Sequence, residues 1–253
     1  MQIVCGVICL LIVVGMAATI YLWRTARQLL KAMPPRQYYE NAIKRPLYVP
    51  LKDIPPEVVK IFIGCEDPMF YRHRGILPMG MIRAALYTIR SGRYYGGSTI
   101  TQQLVKNVYL THERTIRRKA LEVIIALYID WGAMLSKDEI LELYLNLAEM
   151  GPKIFGIGAA SEYHFGKRAS RLTLNQAVIL ATTLPSPFWR RPVEAPLFFE
   201  KMRNRKLFIL VSWNLMTVAQ AEEILRRYSA EKGFDPELRS KQELQAYRQK
   251  HHI

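Results

Sequence analysis

Between Ile3 and Trp23 no residue carries a charged side chain. At a helical rise of about 1.5 Å per residue, a run of that length reaches across a bilayer core of about 30 Å, so one transmembrane helix is expected over residues 1–24. A cleaved signal peptide is the rival reading. It fits less well, because the stretch is longer than a signal core, no basic side chain precedes it and no clear small-residue cleavage site follows. Arg24, Arg27, Lys31 and Arg36 come after the run. By the positive-inside tendency they would hold the following residues in the cytoplasm.

With 253 residues and 50% hydrophobic content the chain can bury a core, and its length favours one domain plus an anchor over two full domains. Thirty-six Lys and Arg against 21 Asp and Glu leave a net charge of +15. That charge suits an anionic partner: lipid phosphate, a membrane surface or nucleic acid. Nucleic acid is the poorest fit, since no RNP-type aromatic motif, zinc-finger spacing or heptad-linked basic region occurs. Cys5 and Cys9 lie inside the apolar run and Cys65 stands alone beyond it. Neither a disulfide framework nor a metal-binding Cys/His cluster is implied, and no metal ligand is assigned.

Periodicity predicts helices at about 57–66, 78–90, 99–109, 115–133, 137–149, 156–164 and 174–184, and no repeat or strongly alternating strand. Thr99 with Gln102, Ser136 with Glu139, Thr173 with Gln176 and Thr217 with Gln220 have capping-box spacing. Pro34, Pro35, Pro46, Pro50, Pro55 and Pro56 punctuate what reads as an extended linker. The expected organisation is an anchor at 1–24, a linker at 25–49, a core at 50–192 and a basic, amphipathic C-terminal extension at 193–253 with a charged tail from Arg239. The fold class is mainly α.

Three places concentrate chemistry. In Gly96-Gly97-Ser98-Thr99-Ile100-Thr101-Gln102-Gln103-Leu104-Val105-Lys106-Asn107 a tight turn leads into a helix whose first turns bear hydroxyls, amides and a Lys. That mixture suits an anion such as phosphate, or simply a well-capped surface helix. Glu66 opens the run Glu66-Asp67-Pro68-Met69-Phe70-Tyr71-Arg72-His73-Arg74-Gly75, where an acidic turn is the bland alternative. Glu122 interrupts an otherwise apolar stretch, Ala120 to Ile129, expected to be a buried central helix. A carboxylate there must be paired or have a raised pKa, and Arg118, Lys106 and Arg114 are the candidate partners; a plain buried salt bridge is the structural alternative.

The Glu66–Gly75 run matches E-D-x-x-F-x-x-H-x-G at every fixed position. With the Gly96–Asn107 run, Arg118-Lys119-Ala120-Leu121-Glu122, the stretch Ser136 to Asn146, and Gly156 to Lys167, in this order and spacing, the chain resembles the glycosyltransferases that polymerise peptidoglycan from lipid II. This is the family of the glycosyltransferase domain of class A penicillin-binding proteins, and the likeness covers roughly residues 50 to 192. The resemblance implies a lysozyme-like helical domain with a smaller membrane-touching lobe. It implies inverting transfer of the growing strand from undecaprenyl pyrophosphate to the 4-hydroxyl of an acceptor lipid II. Glu66 would be the general base and Glu122 the second catalytic carboxylate, orienting cations or a divalent Mg or Mn at the pyrophosphate, the one cofactor considered. Lys106, Arg114, Arg118 and Lys119 would meet the pyrophosphate, with Ser98, Thr99, Gln102, Gln103 and Asn107 lining the site. His73 is expected to be structural. The implied partners are lipid II, the lipid-linked glycan strand, the membrane and other cell-wall synthesis proteins. The implied location is the bacterial inner membrane, single-pass, with the catalytic domain in the periplasm. That side opposes the charge bias, and it is preferred because long domains translocate against such a bias.

Asp130 stands where the family often has Glu, and Ser161 and His164 stand where Ala and Tyr are more usual. Leu184-Pro185-Ser186-Pro187 lacks a Lys common in bifunctional relatives, and the length also suggests the monofunctional branch. Ser229-Ala230-Glu231-Lys232 fits S-x-x-K, but no K-T-G follows. Two alternatives remain: a lysozyme-like enzyme that cleaves glycan, which needs no phosphate-binding cations, and a non-catalytic membrane-anchored scaffold that binds lipid-linked glycan.

Overall fold

The computed structural model describes residues 2–92, 96–111, 113, 115–184 and 192–252. Among these the chain is mainly α-helical and separates into two compact units, Met1–Asn41 with Arg74–Ser136, and Ala42–His73 with Lys137–Ile253.

The first unit opens with α1 (Gln2–Ala32), long and apolar enough to cross a membrane. Its large apolar residues from Val4 to Ile20 are exposed, Leu11 by 65%, whereas Ala26 and Leu30 near its end are buried. There α1 lies against α6 (Ile116–Trp131). Arg117 Nη2 donates to Tyr21 Oη at 2.9 Å and its guanidinium stacks over the same ring. The stretch expected to be an extended linker is therefore largely helical: α1 runs on through residues 25–32, and α2 (Pro35–Ala42) starts at a proline, whose fixed φ suits a first turn. The Tyr109 hydroxyl donates to the Met33 carbonyl and ties the join to the unit.

In the same unit α4 (Pro78–Ser91) ends on Gly92 in the left-handed region, and α5 (Ile100–Tyr109) packs on α6. A Cβ at Gly97 would lie 2.6 Å from Ala84 Cβ and 2.9 Å from the Gly80 carbonyl oxygen, so glycine there lets the turn before α5 touch α4. Met79, Ile82, Leu86 and Ile89 form an apolar stripe along α4 that the protein leaves exposed. The helix read as buried on all sides, α6, is buried on one. Leu121, Glu122, Ile125, Ala126 and Ile129 face inward, while Ile124, Leu127, Tyr128 and the 73% exposed Trp131 line an open apolar cavity with Trp23 of α1. Its all-round apolarity serves a core face and an outer apolar face.

In the second unit α9 (Leu174–Thr183) is buried from Asn175 to Thr183 and packs on α3 (Pro56–Glu66) and α10 (Pro196–Ser212). The motif on α7 (Lys137–Leu147) holds the Pro-rich stretch in place: Glu142 accepts from Tyr48 Oη (2.8 Å) and Leu51 N (2.6 Å), and Asn146 exchanges two 2.8 Å bonds with the Val49 backbone. A short antiparallel hairpin, β1 (Glu149–Gly151) and β2 (Ile154–Phe155), precedes α8 (Ile157–Phe165). Strands of three and two residues are too short to show alternation, which is why the sequence does not announce them. The extension is built into this unit. Buried Phe199, Leu207 and Leu210 fix α10, α11 (Val218–Arg227) carries the Thr217/Gln220 box, and the charged tail is α12 (Lys241–His251), capped by Ser240 with Glu243. Tyr247 and Arg248 of α12 pack on Tyr163 of α8.

Candidate active site

The first unit builds a cationic cluster from a turn and two helices. At the head of α5, Thr99 Oγ1 accepts from Gln102 N (3.2 Å) and the Thr99 N–H donates to Gln102 Oε1 (3.0 Å), the expected capping box. The Thr99 hydroxyl also donates to the Gly75 carbonyl at 2.6 Å. Gly75 sits at φ +79°, and a Cβ there would come 2.5 Å from the Ala126 carbonyl oxygen, so the end of the Glu66–Gly75 motif is pressed onto α6. Thr99 and Gln102 are buried, and this framework engages their side chains. Ser98, Gln103 and Lys106 are half-buried, and Asn107 is exposed.

Glu122 lies on the inward face of α6, 2% exposed. Arg118 Nη1 donates to its Oε2 at 2.6 Å and Lys119 Nζ donates to its Oε1. Spacings of four and three place all three on one helix face, and the expected pairing with Arg118 is present. Lys119 also donates to Ser98 Oγ at 2.6 Å, joining α6 to the turn before α5. A buried carboxylate needs a counter-charge. Here it has two cations, so the cluster carries an excess of positive charge fixed in place. Nearby, Thr101 Oγ1 donates to buried Asp130 at 3.3 Å, which gives the departure at that position a structural part.

A resident divalent cation finds no ligand set here. Both Glu122 oxygens are engaged by cations, and among the described residues no group of three or more His, Cys, Asp or Glu could hold a metal ion. Arg114 lies outside the described residues, as do Pro185, Ser186 and Pro187.

In the second unit Glu66 is the last residue of α3. The other fixed positions of its motif there are structural. Asp67 and His73 are buried and bonded at 2.8 Å, and Phe70 is buried under the Lys137 ammonium. The Glu66 side chain is 7% exposed, and its Oε1 accepts from Lys206 Nζ at 2.8 Å. The same ammonium donates to the Cys65 carbonyl at 2.6 Å. Burial pushes the Cys65 thiol up to about 12, so it stays protonated and unreactive at neutral pH. Burial also raises the Tyr144 phenol well above its ordinary value, with the carboxylates of Glu66 and Asp67 adding to the effect. Tyr144 is therefore a neutral hydroxyl.

The structure thus gathers Ser98, Arg118, Lys119 and Glu122 in one unit and places Glu66 in the other. Lys206 was missed. Its signal was readable: Phe199, Arg203, Lys206 and Leu210 share one stripe of α10 at spacings of four, three and four, so two cations occupy inward positions.

Comparison with known proteins gives a consistent picture. Residues 36–214 match the sequence profile of a family described as Transglycosylase. The chain is 46% identical over 151 residues to penicillin-binding protein 1A of Escherichia coli, covering 59% of this chain and 18% of that protein. It is 37% identical over 193 residues to penicillin-binding protein 1A of Aquifex aeolicus, covering 76% of this chain and 26% of that protein. A provisionally named transglycosylase of Cupriavidus necator is 38% identical over 165 residues, covering 65% of this chain and 69% of that protein. The chain therefore spans only about a fifth to a quarter of the two penicillin-binding proteins.

Proposed function

The chain belongs to the transglycosylase family, and from that premise we propose that it polymerises lipid II into peptidoglycan glycan strands while anchored in the bacterial inner membrane by α1. The observation that carries this reading is the Glu122 cluster, one buried carboxylate with two cations on it. Cleavage of a finished glycan leaves behind a neutral sugar hydroxyl, which a proton suffices to form. Release of a lipid pyrophosphate develops negative charge, and fixed cations stabilise that charge without reorganising.

In the proposed reaction Glu66 takes the proton from the 4-hydroxyl of the acceptor lipid II. The oxygen attacks C1 of the muramic acid at the end of the growing strand, and the bond from C1 to the pyrophosphate oxygen breaks with inversion. The electron pair leaves with the undecaprenyl pyrophosphate, whose charge is met by Arg118, Lys119 and Lys106, with Arg114 assigned to the same side. Glu122 holds Arg118 and Lys119 in their rotamers. Ser98, Gln103 and Asn107 are the polar groups assigned to substrate, and Thr99 and Gln102 support them from below. The apolar stripe of α4 and the outer face of α6 are assigned to the bilayer surface, and the domain to the periplasm. Purified protein incubated with lipid II should yield polymer; release of fragments from finished glycan, with no polymer, would replace this reading with the hydrolytic one. A reporter fused after Ile253 should show periplasmic activity, and a cytoplasmic signal would reverse the topology.

A further inference from the structure

Two cations on the inward face of α10 are buried, and they are held differently. Arg203 is fully buried and donates to neutral oxygens, the Tyr228 carbonyl at 2.7 Å and Asn204 Oδ1 at 2.9 Å, with Glu200 3.6 Å away. It joins α10 to the chain after α11. Lys206, one turn on, sends its ammonium to the carboxylate of Glu66 and to the carbonyl of the preceding residue. Burying an ammonium is costly unless it is paired, so the burial of a Lys at a core position must be offset by its partners. One of those partners is the group assigned above as general base.

We propose that Lys206 is a positioning residue for Glu66: its ammonium, anchored on the Cys65 carbonyl, fixes the carboxylate's rotamer at the end of α3 for proton abstraction. Glu66 is the final residue of its helix and is followed by Asp67 at φ −158°, so no following turn of α3 confines its side chain. α10 supplies a restraint, through a residue 140 positions away in the chain. The Cys65 carbonyl gives the ammonium a second, permanent acceptor, so Lys206 stays in place when Glu66 receives the proton. The inference rests on the reading of Glu66 as base.

The test uses the full chain and lipid II. Lys206→Met should lower kcat by about 10- to 100-fold, the scale on which small misplacements of a reacting group act, with KM little changed. Lys206→Arg should recover a substantial part of kcat. Arg203→Met is the structural control: it should lower the melting temperature yet keep kcat near the parent's wherever it remains folded. If Lys206→Met does not fold, Lys206→Gln and Lys206→Arg, compared at a temperature where both are folded, make the same comparison. Parent kcat in the Lys206→Met or Lys206→Gln variant would overturn the proposal. So would loss of rate that tracks loss of stability equally at Arg203 and Lys206, or a failure of Arg to improve on Met or Gln. Glu66→Gln is assayed in parallel: an active Glu66→Gln enzyme overturns the base reading and this inference with it, whereas an inactive one beside a fully active Lys206→Met overturns the inference alone.

Discussion

Glu66 and Glu122 are both carboxylates held by cations, and their amides should separate what they do. Glu66→Gln removes a proton acceptor with little change of shape, so turnover should fall by roughly the 10² to 10⁴ that general-base catalysis contributes, while lipid II still binds. Glu122→Gln leaves Arg118 and Lys119 partly buried without their counter-charge, so it should lower both the melting temperature and turnover. Turnover at saturating lipid II, affinity and melting temperature check both, and identical profiles would refute the division of roles. A third residue sets a pH dependence. Burial pushes His164 down to about 4, while its Nε2 is held by the Met150 carbonyl at 2.9 Å. Between about pH 6.5 and 4 the unfolded chain therefore binds the proton that the folded chain refuses. The stability is complete above 6.5 and is lost as pH falls toward 4, on the order of 3 kcal/mol at a tenfold affinity change per 1.4 kcal/mol. His164→Phe should flatten the difference in melting temperature between pH 7 and 5. At this scale Glu122 was legible because it interrupts an apolar stretch, and Glu66 because it opens a motif that the chain shares with a known family. The inward position of Lys206 was readable in the stripe of α10, but its partner was not, because that is fixed only by how α10 packs on α3.

Where local chemistry decides, the elements agree with the sequence. The helices at α3 to α9 fall within a few residues of the expected ranges, and prolines in the first turn of α3 and α4 and side-chain caps at α5, α6 and α9 mark those starts in the residues themselves. Where long-range packing decides, they do not. The helical stretch after the apolar run and the docked α12 take their form from partners far along the chain, and the strands of the hairpin are too short to announce themselves. Thr99 joins both kinds of information, closing a capping box and bonding the Gly75 carbonyl. Thr99→Ala loses both, and it should cost about 1–2 kcal/mol for the cap alone and more for the carbonyl left behind. Denaturant unfolding should show that cost, Thr99→Ser should restore most of it, and Lys119, bonded to neighbouring Ser98, should make turnover fall with the cap.

For the molecule as a whole, the end of α1 is part of the first unit. Removing residues 1–20 while keeping Tyr21, Ala26 and Leu30 should leave the melting temperature near the parent's. Starting the chain at Pro46 should lower it by several degrees, because α6 loses the packing of α1 against it and Arg117 loses its Tyr21 partner. Both truncated chains should still float with anionic vesicles at low salt through the α4 stripe, and a wholly soluble result would remove that second membrane contact. The helix α1 is also unbroken from its apolar run to Ala32. A rod without a joint has a phase as well as a length. Each residue inserted between Tyr21 and Ala26 would swing everything beyond it by about 100° and lift it by about 1.5 Å. Residue count along one helix therefore sets both the height and the compass bearing at which the cation cluster stands over the bilayer, and a four-residue insertion, which nearly restores the bearing, should be tolerated far better than a two-residue one.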